Sequence, residues 1–290
     1  MAKAPEAAPK KKYISPSQVN LYTNCAEAYR RRYVEGEKIP PGVAALRGSS
    51  IHRGAEMNFA QKIDSHVDLP KSQIVERAAA EFDARIKLDG VFMSDEDVSR
   101  GKAIVLGEEK DITVRLSGLL ADEVAPLYQP TAVEQTQRIE LPNSPRDILG
   151  ILDLSAYEVS DADKKVGIVD WKSGKRTKPQ SDFDTSIALS IYGLTFRAKH
   201  GIAPAFTAVE QLVDTKVPKR VRNTTERTTR DFEVAVARIN AVIDGSEKGV
   251  FTPASPGSWM CSTRFCGYAR SCAYYNAERK IASDSVNMLK

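Results

Sequence analysis

Three ionisable side chains lie within two stretches of the sequence that otherwise consist of apolar, strand-forming residues. Asp153 ends the stretch Gly150-Ile151-Leu152-Asp153, and Asp170 and Lys172 belong to the stretch 168–174. A charged group is costly to bury unless another charge or a metal ion pairs with it. These residues are therefore the first candidates for a chemical role.

The spacing of these residues predicts that they meet on one face of a sheet. Two strand patterns, 148–159 and 166–172, are separated by a polar turn. A two-residue hairpin loop would place Asp153 opposite Asp170 in one register and opposite Lys172 in the other. Residues two apart on a strand share a face, so the three groups converge in either register, with opposed Cβ atoms about 4.5–5.5 Å apart. A longer turn would leave the register open.

Two carboxylates as close as Asp153 and Asp170 repel each other unless a cation holds them. Mg²⁺ or Mn²⁺ prefers oxygen ligands and needs only one or two carboxylates together with water and phosphate. Lys172 would orient or activate a water molecule, or stabilise the reacting phosphate. This set is suited to phosphodiester hydrolysis. The alternative is structural: a buried Asp–Lys ion pair, with the second aspartate capping a turn.

Helix and strand patterns around these residues predict an α/β fold. Helical patterns cover residues 18–34, 71–88, 95–127, 184–200 and 232–243, and strand patterns cover 131–141, 148–159, 166–172 and 206–213. A further predicted helix begins near Arg47 and carries His52, one of three histidines in the chain. A lone histidine on a helix is more often structural than a metal ligand.

Basic residues follow the strand pattern 166–172 and recur later in the chain. They are Lys175, Arg176 and Lys178 in the first group, and Lys219, Arg220 and Arg222 in the second. Such groups suit contacts with a nucleic-acid backbone. Exposed charges are equally the default on a solvated loop, so that alternative stays open. The net charge of +4 permits a nucleic-acid partner without requiring one.

Four cysteines are divided between the two ends of the chain. Cys25 lies on the first predicted helix, and Cys261, Cys266 and Cys272 lie near the C-terminus. Four thiolates are the number that a [4Fe–4S] cluster needs, and the wide spacing and aromatic neighbours favour a cluster. Structural zinc prefers tighter cysteine pairs. Zinc, free thiols and disulfides remain the alternatives.

These motifs resemble the RecB-type nucleases of the PD-(D/E)XK superfamily, in the branch that carries an iron–sulfur cluster. That branch includes the AddB nuclease domain and the exonucleases of CRISPR adaptation, and phages carry similar genes. Gly48-Ser49-Ser50-Ile51-His52 is similar to the family's helical histidine motif, and Gly150 to Asp153 to its G-x-x-D strand. Asp170-Trp171-Lys172 is similar to its D/E-x-K strand. The likeness extends from Ser15 to Cys272.

The resemblance implies a restriction-endonuclease-like core, with a mixed sheet flanked by helices, a helical N-terminal region and a C-terminal iron–sulfur clasp. It implies that the metal ligands are His52, Asp153, Asp170 and the backbone carbonyl of Trp171. Tyr192 matches a DNA-positioning tyrosine, but Ala188 stands where the family usually has a glutamine. Glu134, on the preceding strand, is a lesser candidate for the metal shell.

The expected activity is that of a Mg²⁺- or Mn²⁺-dependent DNA exonuclease acting on single strands or DNA ends in recombination, repair or phage DNA processing. A helicase or recombination protein is a possible partner. The alternative function is a non-catalytic DNA-binding or assembly subunit that retains the fold and the cluster. The intact Asp153, Asp170 and Lys172 favour the enzyme.

The sequence predicts one nuclease domain, residues 13–290, preceded by a disordered basic tail, residues 1–12. The domain is expected to comprise a helical part at about 15–128, a catalytic sheet at about 131–245 and the cysteine clasp at about 250–276. No apolar run is long enough to span a membrane. The N-terminal residues lack the apolar segment of a secretory signal. A cytoplasmic location, in a bacterium or a phage-infected cell, is expected.

Overall fold

A six-stranded mixed sheet forms the centre of the computed structural model, which describes residues 12–255 and 257–275. The strands are β1 (Lys12–Ile14), β2 (Tyr128–Ile139), β3 (Arg146–Glu158), β4 (Gly167–Gly174), β5 (Thr207–Val213) and β6 (Lys219–Thr225). The helices are α1 (Pro16–Asn24), α2 (Ala26–Tyr29), α3 (Val43–Ser65), α4 (Lys71–Asp89), α5 (Asp95–Arg100), α6 (Lys102–Leu119), α7 (Gln180–Asp184), α8 (Ile187–His200) and α9 (Thr229–Glu247). Within these ranges, no helix has both the length and the apolarity needed to cross a membrane.

Strand β3 contacts three other strands. β2 runs antiparallel along one edge of β3, as far as the pair Ile139–Ile148. β1 and β4 therefore share the opposite edge, where β1 pairs up to Ile148 and β4 begins to pair at Leu154. Between them, residues 149–153 have no strand partner on that edge in the described part of the chain. Beyond β4, the sheet continues with β5 in parallel and β6 antiparallel.

Helices cover both faces of the sheet because apolar side chains point from it in both directions. On one face, Phe59 of α3 and Leu116 of α6 pack against Leu154 and Trp171. The other face is covered by α1, α8 and α9, whose core residues include Ile191. Leaving apolar area of this size exposed to water would be costly, so the helices fix the sheet in a three-layer arrangement. The predicted α/β class with helices flanking a mixed sheet is confirmed.

Several predicted helices are interrupted. The predicted helix 18–34 breaks at Cys25, whose backbone is extended, and its last turn, Arg30–Val34, is a π-helix. The predicted helix 95–127 divides at Gly101. Its φ is +93°, a backbone conformation that residues other than glycine rarely adopt. The predicted helix 184–200 divides into α7 and α8. Local backbone geometry overrides the apolar periodicity at each break.

Two strands lie where the sequence predicted none. The basic run that includes Lys219, Arg220 and Arg222 forms β6, paired with β5. Lys12, predicted to belong to a disordered tail, begins β1, and the rest of that tail lies outside the described residues. The predicted polar turn is longer than a two-residue loop, because β3 ends at Glu158 and β4 begins at Gly167.

Candidate active site

The register between β3 and β4 brings Asp153 and Asp170 next to each other. Leu154 pairs with Val169, and the ladder ends at that pair. Continuing the same register places Asp153 opposite Asp170, at the point where the two strands separate. This is the first of the two registers that the sequence predicted, although the longer loop could not have specified it.

Lys172 and Asp170 form an ion pair on β4. The Lys172 Nζ atom lies 2.7 Å from both carboxylate oxygens, but only Oδ1 accepts a hydrogen bond from it. The Oδ2 atom is buried and accepts no hydrogen bond from any described residue. The backbone N–H of Trp171 donates to Asp153 Oδ2 at 3.4 Å. The Lys172 ammonium thus compensates the charge of Asp170, and the Oδ2 atom accepts no further hydrogen bond from the described residues.

His52 of α3 and Glu134 of β2 approach Asp153 from two further elements. His52 Nδ1 lies 3.5 Å from Asp153 Oδ1 and 3.7 Å from Glu134 Oε1. Ligand atoms of these three residues all lie within 4.8 Å of one another. Carboxylate oxygens together with an imidazole nitrogen form a donor set that suits Mn²⁺ or Mg²⁺.

Glu134 lies closer to the centre of this group than the sequence indicated. It has a left-handed φ of 44° inside β2, a conformation that is uncommon and strained for a residue with a side chain. Its neighbours in β2 pair with Leu152 and Leu154, so Glu134 stands across from Asp153. The central position of Glu134 could not be predicted without the register of β2 against β3. Alternation along β2 alone does not show which residue of β3 lies opposite Glu134.

The charges of the site oppose and compensate one another. Burial, together with the nearby Asp170 carboxylate, raises the pKa of Asp153 to about 7. Burial acts to lower the pKa of His52, but the carboxylates of Asp153 and Glu134 outweigh it and raise that pKa. Burial opposes the charge of Lys172 as well, yet Asp170 and Asp153 raise its pKa above the ordinary value. The carboxylates thus favour a cation between them.

Helix α8 closes the site from the other side. A Cβ atom at Gly150 would lie 3.1 Å from Thr195 Oγ1 and 3.5 Å from Tyr192 Cδ1, so a glycine there lets α8 pack closely. Burial, followed by the charge of Asp170, raises the pKa of Tyr192, which places its hydroxyl within the electrostatic field of the carboxylates. Ala188 lies one turn earlier on α8.

The basic residues fall into two groups. Lys175, Arg176 and Lys178 are exposed after β4, and Lys175 Nζ lies 3.2 Å from Glu109 Oε1. By contrast, Arg220 donates two hydrogen bonds of 2.7 Å to the fully buried Glu210, and Arg222 pairs with Glu158. Lys219 is exposed on β6. Of the two groups, the one after β4 is the less engaged in internal ion pairs.

The four cysteines line one cavity. Cys25 stands between α1 and α2, and Cys261, Cys266 and Cys272 follow α9; none of the four forms a disulfide. Burial raises the pKa of the Cys266 thiol, and the other three cysteines add to the rise. Among the described residues, no three of these sulfurs lie within 4.8 Å of one another. The cysteines therefore do not form a compact ligand cluster, and the iron–sulfur site stays a prediction.

Sequence comparison covers most of the chain. Residues 13–273 match the family described as the PD-(D/E)XK nuclease superfamily. The chain belongs to this superfamily. A solved structure of a candidate exonuclease from Eubacterium rectale is similar to this nuclease over 95% of both chains, with a TM-score of 0.50 and 14% identity, which is a likeness of fold. No curated protein matches the sequence.

Membership in the PD-(D/E)XK superfamily gives the site a chemical context. A nuclease acts on a nucleic acid, and this superfamily typically uses a divalent metal ion. In this nuclease, the buried oxygen of Asp170 and the group of His52, Glu134 and Asp153 are donors that fit such an ion. The helices and sheet of the PD-(D/E)XK fold bring them together from α3, β2, β3 and β4.

Proposed function

We propose that this nuclease is a Mg²⁺- or Mn²⁺-dependent DNA exonuclease of the RecB type, acting on single strands or DNA ends in recombination, repair or phage DNA processing. The convergence of His52, Glu134, Asp153 and Asp170 beside Lys172, where β3 and β4 separate, carries the proposal. The name of the E. rectale protein supports exonuclease action over internal cleavage.

In the proposed site, His52, Glu134, Asp153, Asp170 and the carbonyl of Trp171 hold the metal ion. When bound, the ion supplies Lewis acidity toward the phosphate and lowers the pKa of its water. The donor set supports this assignment, because Asp153 is held in a place where it ionises only with difficulty unless a cation compensates it.

Lys172 and Tyr192 orient the reacting groups in this proposal. The Lys172 ammonium is fixed by Asp170 at 2.7 Å, and its side chain is 47% exposed, so it faces both the carboxylates and the approaching substrate. It holds its proton firmly and therefore acts as a positive charge that stabilises the phosphate and orients the water. The Tyr192 hydroxyl stays protonated and is available as a hydrogen-bond donor to a phosphate oxygen.

The proposal includes a [4Fe–4S] cluster held by Cys25, Cys261, Cys266 and Cys272, with structural zinc as the alternative. All four thiols line the same cavity, although they are further apart than ligands to a single ion. Four thiolates are the number that a cubane needs, and structural zinc prefers cysteines closer in sequence, which supports the cluster over zinc. Its proposed role is to join the C-terminal segment to the first helices.

For the DNA backbone, we propose contacts to Lys175, Arg176 and Lys178, which extend from the end of β4. Lys219 is a further candidate, whereas Arg220 and Arg222 are engaged with buried or half-buried carboxylates. Lys175 also pairs with a buried carboxylate, that of Glu109, but its side chain is 56% exposed, whereas that of Arg220 is 20% exposed.

The test is cleavage of end-labelled single-stranded and duplex DNA with Mg²⁺ or Mn²⁺ by anaerobically purified protein. Removing a metal ligand or the catalytic cation, by Asp153→Ala or Lys172→Ala, is expected to lower the rate by at least about 10²-fold. Products shortening stepwise from a labelled end would identify exonuclease action.

Matched controls are Asp163→Ala and Lys165→Ala, which remove an exposed ion pair in the neighbouring loop. They are expected to cut like the wild type. Equal cleavage by Asp153→Ala, Lys172→Ala and the controls would contradict the proposed site. A colourless preparation that contains zinc would contradict the cluster and leave the nuclease proposal standing.

A further inference from the structure

The C-terminal segment presents an unusual set of exposed aromatic side chains. Trp259 is 63% exposed, Phe265 is 53% exposed and Tyr274 is 59% exposed. Within the described ranges, these are the three most exposed aromatic residues, and all lie within a stretch of 16 residues. Aromatic rings left in water so close together are typical of a binding surface. We call these three residues the aromatic platform.

The backbone beneath the aromatic platform is well fixed. The amides of Phe265 and Cys266 both donate to the Ser262 carbonyl, at 3.1 and 2.8 Å, and the Ser262 hydroxyl bonds to the Trp259 carbonyl at 3.1 Å. Trp259 and Phe265 meet edge to face with ring centroids 5.0 Å apart. The Trp259 and Phe265 rings are thus preorganised, so a ligand that stacks on them loses little entropy in ordering them.

Positive charge lies beside the aromatic platform. The Arg264 guanidinium lies 5.5 Å from the centroid of the Phe265 ring. Arg264 and Arg270 pair with acids of α5, but the side chains in both pairs are more than 60% exposed. Exposed ion pairs contribute little free energy, so these arginines can exchange their partners for phosphates.

The aromatic platform also borders the cavity that leads toward β4. Phe265 and Tyr274 line a cavity of about 1240 Å³, whose lining also includes Arg47 of α3 and Lys175, the residue directly after β4. The four cysteines line the same cavity, which is also the space proposed for the cluster, so a DNA strand would pass along its rim. Its lining residues include eight basic and five acidic side chains, an excess that suits a polyanion.

We propose that the aromatic platform stacks unpaired bases of single-stranded DNA and so makes the single strand the preferred substrate. Every base presents a π-face when unpaired, whereas a duplex hides those faces within its own stack. Phosphates between the stacked bases would contact Arg264 and Arg270, and the strand would continue along the rim of the cavity toward Lys175. This inference deepens the proposed function and rests on its DNA substrate, but not on cleavage.

The test measures binding with the divalent metal chelated, so that its outcome does not depend on catalysis. Anisotropy of a labelled single-stranded oligonucleotide and of a blunt DNA hairpin is recorded for wild type, Trp259→Ala, Phe265→Ala and the double variant. Each substitution is expected to weaken single-strand binding about tenfold, with hairpin binding unchanged within about twofold. Trp259→Phe is expected to keep most of the affinity that Trp259→Ala loses, because phenylalanine retains an aromatic ring.

Tyr13→Ala is the matched control, since it removes a ring that is 45% exposed on β1. Circular dichroism and iron content establish that each variant is folded and retains the metal content of the wild type. Unchanged single-strand affinity in the folded double variant would overturn the proposal, as would an equal loss for the hairpin. A wild type that binds single strands through these rings but never cuts DNA would overturn the proposed nuclease activity alone.

Discussion

The carboxyl group of Asp153 lies where burial and the charge of Asp170 act in the same direction. Both favour its protonated form, and together they raise its pKa to about 7 in the absence of metal. In the unfolded chain an aspartate titrates near its ordinary value of about 3.9. The metal-free folded protein therefore binds a proton that the unfolded chain has already released at pH 5 or 6.

At this residue we predict opposite effects on activity and stability. Because the folded-state pKa of Asp153 is raised, its contribution to stability is fully present below about pH 4 and is lost as the pH rises to about 7. Asp153→Asn removes this pH-dependent loss of stability, because the asparagine amide does not ionise. In chelator at pH 8, urea unfolding is expected to show a gain on the order of 2 kcal/mol, while cleavage is abolished.

The pH dependence supplies the control for Asp153→Asn. At about pH 3 the variant and the wild type are expected to be equally stable, since the wild-type carboxyl group is then almost fully protonated in both states. With saturating Mn²⁺ at pH 8, the wild type gains more stability than the variant. A variant that is less stable than the wild type at pH 8 in chelator would contradict this account.

The chemistry of the central residues could be predicted, but their full set could not. Asp153, Asp170 and Lys172 stand out because a charged group in an apolar strand is costly to bury unless another charge or a metal ion pairs with it. Glu134 does not stand out in that way, because its place depends on how β2 is aligned with β3 and on its own left-handed backbone. Neither is a property of the local sequence.

At the scale of elements, His52 is positioned by the close contact between α3 and α4. Gly54 lies two residues after His52, and a Cβ atom there would stand 2.8 Å from the backbone oxygen of Ile74 and 3.2 Å from Ala78 Cβ. A backbone oxygen within a helix cannot move aside without moving the helix. The absence of a side chain at Gly54 therefore sets the distance between the two helices.

For Gly54→Ala, we predict a loss of about 1–3 kcal/mol from overpacking, although alanine is the better helix former. Cleavage should also require more metal, because α3 carries His52. The measurements are urea unfolding and the Mn²⁺ dependence of the rate. Gly107→Ala on α6 is the matched control: nothing lies within 4 Å of its Cβ position, so a gain of about 0.5–1 kcal/mol is expected. Equal effects of the two substitutions would contradict the packing argument.

Strands β5 and β6 are joined by a buried ion pair that the sequence did not reveal. Glu210 is fully buried and accepts hydrogen bonds from Arg220 and, at 2.5 Å, from the Tyr128 hydroxyl. In the sequence, a basic run such as that of β6 resembles a DNA contact. The sequence does not show which acidic side chains folding brings close to these basic residues. Arg220 is instead occupied within the fold.

We predict that Arg220→Ala lowers the free energy of unfolding by about 3 kcal/mol, because it leaves the buried Glu210 carboxylate with only the more distant Arg222, at 4.0 Å, as its cation. The salt dependence of DNA binding should stay unchanged. Lys219→Ala, on the same strand but exposed, is the control and should alter stability by no more than about 0.5 kcal/mol. If Arg220→Ala weakened DNA binding without lowering stability, the residue would be a DNA contact after all.

At the scale of the whole molecule, contacts of its own hold the C-terminal segment against the first helices. Arg31 donates to the Tyr268 carbonyl and, at 2.7 Å, to the Ser271 hydroxyl, and its guanidinium lies 4.6 Å from the Tyr268 ring centroid. The Tyr268 hydroxyl donates to the Glu37 carbonyl at 2.7 Å. The proposed cluster would therefore reinforce an existing attachment.

Cysteine substitutions can distinguish a shared cluster from independent thiols. If Cys25 and Cys266 hold one cluster, either single alanine variant loses the iron, and the second substitution then costs little more. We predict equal drops in melting temperature for Cys25→Ala, Cys266→Ala and the double variant, with iron lost in all three. Additive drops with unchanged iron content would show that the two cysteines act separately.

The prediction of overall architecture from sequence was strongest where periodicity was long and weakest where distant segments meet. The α/β class follows from the apolar patterns, whereas the mixed sheet flanked by helices was expected from the family resemblance. The addition of β1 to β3 depends on contacts between the start of the chain and its middle, and just after the break at Cys25 the Glu27 amide donates to the Thr252 carbonyl. Such contacts leave no periodic signal in either segment.

The one-sided stretch of β3, residues 149–153, has a kinetic consequence. Its backbone is paired with β2 but not with a strand on the edge between β1 and β4. Fewer cross-strand hydrogen bonds must break for this stretch to open than for the doubly paired residues Leu154 to Ala156. Its amide protons should therefore exchange with deuterated solvent sooner, and divalent metal should slow that exchange. The stretch of β3 that ends in Asp153 would then report, on the timescale of minutes, whether the site holds a metal ion.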